Sequence, residues 1–167
     1  ERFGLGEADR ILQFVSCGFD VFVADVMMAL ASGASIVAAE QETALQDLQG
    51  LTARCGVTFV QLPASVLAVL PAEGVPGIRG LVLGGERWST DIVEQWSPGR
   101  RIFNAYGPTE TTVCAAVADG IHASRRSVIG RALANASVRV VDSELSPVPT
   151  GVVGEIVIAG EGVARGY

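Results

Sequence analysis

The nine residues Asn104-Ala105-Tyr106-Gly107-Pro108-Thr109-Glu110-Thr111-Thr112 combine an amide, an aromatic ring, a Gly-Pro turn, three threonine hydroxyls and a carboxylate. An amide can read a base edge, a ring can stack on it, hydroxyls can hold phosphate and a carboxylate can hold Mg²⁺. That set of groups fits ATP. The run follows the short stretch Arg101-Ile102-Phe103, which places it at the C-terminal end of a strand. Ligand sites of open α/β sheets gather in the crevice beyond such ends. A polar turn between two strands accounts for Gly107-Pro108 taken alone. A second residue with chemical potential is Asp20, at the start of the apolar stretch VFVADVMMALA. By itself it reads first as a helix cap accepting backbone N–H bonds.

The elements that must position these groups alternate. Ile11 to Ser16 reads as a buried strand, Asp20 to Ala31 as a core helix apolar on nearly every side except Asp25, and Ser35 to Ala39 as a strand. Thr43 to Cys55, with leucines at 45, 48 and 51 and a stop at Gly56, reads as one amphipathic helix. Val57 to Leu62 is a β-branched strand, and a helix opens at Pro63 and runs to Leu70. Then come strand Ile78 to Leu83, a turn at Gly84-Gly85, helix Thr90 to Trp96 and strand Arg101 to Ala105. This alternation predicts an α/β fold with a mainly parallel sheet covered on both faces. After about Gly120 the texture changes: strands Val138 to Asp142 and Gly154 to Ala159 are joined without a helix, as in a small antiparallel, barrel-like β unit. The boundary falls near residues 120–128, giving an α/β part over 1–124 and the start of a β part over 125–167.

Composition narrows the function classes. A chain of 167 residues with 49% apolar and 18% charged residues has fewer charges than the usual share of about 25%. Extensive burial follows, part of it against protein beyond this chain. The net charge of −6 argues against nucleic-acid binding, which needs clustered Lys and Arg. Cys17, Cys55 and Cys114 are too irregularly spaced for a zinc site or a disulfide framework, and read as buried thiols of a reducing cytosol. The apolar stretch from Val26 to Ala39 is interrupted and too short for a membrane span. The opening Glu-Arg-Phe-Gly has neither an initiating Met nor a signal peptide's pattern, so the chain reads as cut from something longer.

With these residues in hand, the chain resembles the adenylation domain of a nonribosomal peptide synthetase, over essentially its whole length. Three family motifs stand in order: Phe19-Asp20 opening a helix that ends Met28-Ala29-Leu30-Ala31-Ser32-Gly33-Ala34, then Asn104 to Glu110, then Gly154-Glu155-Ile156-Val157-Ile158-Ala159-Gly160 closing in Gly162-Val163-Ala164-Arg165-Gly166-Tyr167. Leu83-Gly84-Gly85-Glu86 fits a fourth, shorter landmark. The resemblance implies an enzyme that joins an amino acid's carboxylate to AMP and passes the acyl group to phosphopantetheine on a carrier domain. It implies ATP and Mg²⁺ as cofactors, and carrier and condensation domains of the same synthetase as partners. Thr109 would contact phosphate and Glu110 would hold Mg²⁺, making these the catalytic pair. Asn104, Ala105, Tyr106 and Thr109 would form the nucleotide side, with Tyr106 stacked on adenine and the Asn104 amide reading its exocyclic amine.

By the same resemblance Asp20 would pair with the substrate's α-ammonium. A zwitterion entering an apolar pocket brings a cation that is costly to bury unpaired. The carbonyls of Gly107 and Val113 would be secondary partners. The side-chain pocket would be lined by Val21, Ala24, Gln61, Val82, Gly84, Ala105, Val113 and Cys114. Three of these, Ala24, Gly84 and Ala105, are small, and none of the eight is charged. A large aromatic fits best: tryptophan first, since Gln61 can accept from an indole N–H, then Phe- or Tyr-like residues. The family's phosphate loop would precede residue 1. Its ribose-binding Asp and the Lys of its C-terminal domain would follow residue 167. Two other readings stay open: an aryl- or acyl-CoA ligase of the same superfamily, and a non-catalytic nucleotide-binding module.

Overall fold

Five parallel strands carry the site. β1 (Arg10–Gln13), β2 (Ser35–Ala38), β3 (Phe59–Gln61), β4 (Gly80–Gly84) and β5 (Arg101–Tyr106) lie in the order β2-β1-β3-β4-β5. β6 (Ala116–Asp119) and β7 (Arg131–Ala132) extend the sheet antiparallel beyond β5. A separate antiparallel pair joins β8 (Ala136–Val141) to β9 (Glu155–Gly160). The structure, a computed structural model, describes residues 2–75, 77–122 and 128–167. It has the α/β architecture expected from the sequence, a mainly parallel sheet followed by a small antiparallel unit. The change of sheet falls between Ala132 and Ala136, since β7 still belongs to the large sheet.

The central strands read as unbroken apolar runs because both faces are covered. Ile11, Leu12, Phe59, Val60, Leu81, Val82, Ile102 and Phe103 are each exposed by 1% or less. Alternation along each strand sorts them between two cores. Leu12, Val60, Leu81 and Ile102 face α2 (Gln41–Gln46), α3 (Leu48–Cys55), α4 (Ala64–Leu67) and α5 (Thr90–Trp96), packing with Leu48, Leu51, Leu67 and Trp96. Ile11, Phe59, Val82 and Phe103 face the other way and pack with Ala29 of α1 (Asp20–Ser32). The chain steps from β1 outward to β2, then back across β1 to β3. The connections leaving β1 and β3 therefore run over opposite faces. The gap between those strand ends is a topological switch point, where such sheets bind ligands.

Several expectations need correction. The stretch 43–55 forms two helices, because Asp47 leaves helical geometry (φ −144°, ψ 57°) and caps α3 by accepting from Gly50 N at 2.8 Å. Leucine spacing does not reveal that cap. Cys17 is exposed, while Cys55 and Cys114 are partly buried. β6 and β7 had no counterpart among the predicted elements. The largest difference is α1, which is not wrapped by core. Phe19, Val23, Met27 and Leu30 are 67%, 52%, 57% and 74% exposed, whereas Asp25, its one charged interior residue, is buried. Both Asp25 carboxylate oxygens lack partners among the described residues, and burial pushes its pKa up to about 7. Asp9, at the opposite end of β1, shows the contrast. It accepts from Arg79 Nε at 2.7 Å, Thr58 Oγ1 at 2.7 Å and Gly6 N at 2.9 Å, and these bonds, Arg79's first, hold its pKa down to about 2. Among the described residues no helix is long and apolar enough to cross a membrane.

Candidate active site

A cavity of about 790 Å³ opens at the C-terminal ends of β1, β3, β4 and β5, against the first turns of α1. Its shape follows from strand alternation. On the face toward α1, Phe59, Val82 and Phe103 fill the lower sheet, with Phe3 edge-on to Phe59 and Phe103 at 5.8 and 5.0 Å. Two residues further along β3 and β5 the same face carries Gln61 and Ala105, and along β4 it carries Gly84. Large side chains below and small ones above leave the upper end hollow. Gly84 and Ala105 are paired in register, and a Cβ on Gly84 would meet the Ala105 carbonyl oxygen at 3.2 Å. The position is close to its size limit before any side chain enters the hollow.

All ten positions expected around the amino acid border this one cavity. Asp20, Val21 and Ala24 come from α1; Gln61, Val82, Gly84 and Ala105 from the strand ends; Gly107, Val113 and Cys114 from the segment after β5. Cys114 donates its thiol to Ala116 O at 3.2 Å, and burial raises its pKa, so the wall it adds is neutral. Ser65 and Glu86, neither of them in the expected pocket lining, also border the space. Glu86 Oε1 accepts from both Ser65 N and Ser65 Oγ at 2.6 Å, which lowers its pKa. No sequence pattern signals this pair, since Ser65 lies in α4 and Glu86 in the loop after β4.

Asp20 is the first residue of α1 and lies at the cavity's edge. No side-chain cap closes the helix N-terminus, and the Asp20 carboxylate instead accepts the Thr109 hydroxyl, Oδ2 to Oγ1, at 2.7 Å. This bond crosses 89 residues of sequence and joins the helix to the polar loop. The loop itself is tightly wound. After Pro108 a 3-10 turn spans Thr109–Thr111, and Thr112 and Val113 then take φ of 59° and 66°. Two consecutive β-branched residues in the left-handed region are strained. The fold-back presses the chain onto Gly107, where a Cβ would lie 2.7 Å from Cys114 Cα and 2.8 Å from Val113 O. Only glycine fits there.

Of the nucleotide-side residues, Ala105 and Thr109 border the pocket, whereas Asn104 and Tyr106 separate from it. Asn104 lies between Phe103 and Ala105 and so faces the opposite side of β5. It is 6% exposed, and its Nδ2 donates to Val128 O at 2.7 Å. That leaves its amide oxygen to accept from a ligand. Tyr106 shares this side and is partly buried. Glu110 is exposed and is reached by the chain's last residues: Ala164 N donates to Glu110 O at 2.8 Å, and the Tyr167 hydroxyl donates to the Glu110 carboxylate. Thr112 Oγ1 likewise donates to Gly162 O at 2.7 Å. The third motif therefore braces the second, a contact that sequence spacing does not show. No group of three or more His, Cys, Asp or Glu able to hold a metal occurs among the described residues. One exposed carboxylate suits Mg²⁺ arriving with substrate phosphates, which needs only one or two protein carboxylates.

A hollow at the switch point of a parallel sheet, flanked by a hydroxyl- and carboxylate-bearing loop, defines an α/β ligand-binding unit. The family is given by sequence: the AMP-binding enzyme family matches residues 1–167, and this chain belongs to it. It is 43% identical over 168 residues to a probable non-canonical nonribosomal peptide synthetase, CymA, of Salinispora arenicola. All of this chain but only 2% of that protein is covered. Its fold matches a holo nonribosomal peptide synthetase protein containing adenylation and PCP domains with TM-score 0.89 and 25% identity, covering 100% of this chain and 31% of that one. It also matches the synthetase FmoA3 in its AMPPNP-bound form with TM-score 0.89 and 28% identity, covering 99% of this chain and 20% of that one. The chain thus spans a small part of the relatives it matches.

Proposed function

We propose that this chain is the amino-acid-recognising part of an adenylation domain in a nonribosomal peptide synthetase. The whole protein would form aminoacyl-AMP from ATP and an amino acid and load it onto a phosphopantetheinyl carrier, with a condensation domain downstream in function. The observation that carries this reading is the Asp20 carboxylate at the edge of a mainly apolar hollow, whose other bordering carboxylate, Glu86, is already engaged by Ser65. A substrate ammonium placed there is paired, and its side chain enters the hollow. The small residues Ala24, Gly84 and Ala105 give room for a bulky aromatic, and the Gln61 amide favours tryptophan over phenylalanine.

Reaction requires a weak carboxylate nucleophile to approach a highly anionic triphosphate, so catalysis rests on positioning and on charge offset. Asp20 and the Gly107 and Val113 carbonyls hold the ammonium, and Thr109 donates to phosphate. Tyr106 and the Asn104 oxygen receive the adenine on the other side of β5. Glu110 would hold Mg²⁺, whose charge neutralises the phosphates. Support comes from the synthetase relatives, from the AMPPNP bound by one of them and from the PCP domain carried by another.

ATP–pyrophosphate exchange by the whole synthetase module, run across the proteinogenic amino acids and their deaminated analogues, tests the reading. Tryptophan or another large aromatic should give the fastest exchange, and indole-3-propionate essentially none. Faster exchange with the deaminated acids would assign the chain to the acyl- or aryl-CoA ligases instead.

A further inference from the structure

The Asp20–Thr109 hydrogen bond joins two groups that the proposed function assigns to different ligands: the carboxylate to the amino acid's ammonium, the hydroxyl to a phosphate. A threonine hydroxyl has one proton. In the unliganded site that proton lies between Oγ1 and Asp20 Oδ2, 2.7 Å apart. It cannot serve Asp20 and an anionic phosphate oxygen together. We propose that Thr109 couples the two subsites, its hydroxyl holding Asp20 until an ammonium replaces it there and then turning to the nucleotide. Amino acid and nucleotide thereby strengthen each other's binding.

The geometry supports this in three respects. Thr109 and Asp20 both border the hollow, so the bond lies where the two ligands would meet. Both side chains have at least one face open to solvent, so the hydroxyl can rotate without unpacking a core. The loop behind Thr109 is pinned by Thr112 on Gly162 O and by Ala164 N on Glu110 O, so the exchange is confined to one side-chain torsion. Whichever ligand binds first breaks the charge-assisted bond, and the second meets a partner already released. Linkage makes the effect reciprocal, and couplings of this kind are about tenfold in affinity.

This inference rests on the adenylation reading, and one set of titrations separates the two. L-tryptophan is titrated into the intact adenylating protein with and without a saturating non-hydrolysable ATP analogue plus Mg²⁺; L-phenylalanine takes its place if it supports faster exchange. The analogue should tighten amino-acid binding about tenfold. In Thr109→Val, whose shape is nearly unchanged, the ratio should fall to about one. Nucleotide-free tryptophan binding should become several-fold tighter, since Asp20 no longer starts engaged. Thr109→Ser should keep the coupling. Indole-3-propionate, lacking the ammonium, should show no nucleotide dependence. An unchanged ratio in Thr109→Val, or equal coupling for indole-3-propionate, overturns the switch. The adenylation reading survives both results provided Asp20→Asn abolishes tryptophan binding. If Asp20→Asn binds tryptophan like the parent protein, the reading itself fails.

Discussion

The hollow and the polar loop beside it are built by different means. The hollow's strand-borne wall is fixed by sheet register: Gln61 beside Val82, Val82 beside Phe103, Gly84 beside Ala105. These positions sit on strands inside the sheet, beside or just beyond large buried side chains. The loop has no such ladder. It is held by strained residues at 112 and 113, by close approach at Gly107, by hydrogen bonds donated to Asp20 and Gly162 O and by one received from Ala164 N, spanning from 50 to 89 residues. A wall of this kind can change residues, and hence substrate, without moving. A loop of this kind can keep its geometry only if distant segments stay in place.

The largest expected effect tests the helical wall. Asp25 follows the pocket residues Val21 and Ala24 on α1 and is buried without a partner among the described residues. Burial holds its pKa at about 7 in the folded protein, well above the ordinary carboxylate value of about 4, so the folded protein keeps the proton between those values while the unfolded chain releases it. Stability from this group is therefore full below about pH 4, falls as pH rises through 7, and is lost above it, a span of about 4 kcal/mol. Asp25→Asn should flatten that fall in thermal melts from pH 4 to 8, leaving the variant more stable than the parent at pH 8. Parallel pH curves would show that Asp25 is paired in the whole protein.

On the loop side, Gly107→Ala forces a Cβ into the backbone of residues 113–115. Displacing the loop by about 1 Å should cut exchange by about 100-fold, with folding retained by circular dichroism. Activity near that of the parent would mean the loop is less tightly constrained than its contacts indicate. The wall should respond differently to Gly84→Val, which fills the hollow at the cost of a small local shift, since its Cβ would lie 3.2 Å from the Ala105 carbonyl oxygen. Tryptophan exchange should fall about 10- to 100-fold while alanine or valine exchange holds or rises. Equal losses for all substrates would remove Gly84 from the pocket. The smallest change is Tyr167→Phe, which deletes one exposed bond to Glu110. The Mg²⁺ concentration for half-maximal exchange should shift by only about threefold.

The same contrast explains what could be read without coordinates. Alternating apolar runs and helical stretches specify the parallel sheet, because strand periodicity and buried register are local properties. Pocket residues carried on strands inherit that legibility. Asp47 escaped notice because one polar residue can either ride an exposed helix face or end the helix, and leucine spacing fits both. The outer face of α1 differs from the expected core helix because an apolar helix sequence shows that it wants covering, not what covers it. Asn104 looked free to read a base, yet its donation to Val128 depends on a loop with no periodic signal. The bond between Asp20 and Thr109 and the brace from residues 162–167 are tertiary facts, beyond any spacing rule.

The central claim is that Asp20 receives the α-ammonium at the mouth of the hollow. A crystal structure of the whole adenylating protein with a non-hydrolysable tryptophanyl-AMP analogue tests it most directly. The account predicts the analogue's α-nitrogen within about 3 Å of the Asp20 carboxylate, with the indole between Gly84 and Ala24. An ammonium bound elsewhere, with Asp20 still tied to Thr109 or turned to solvent, would contradict it.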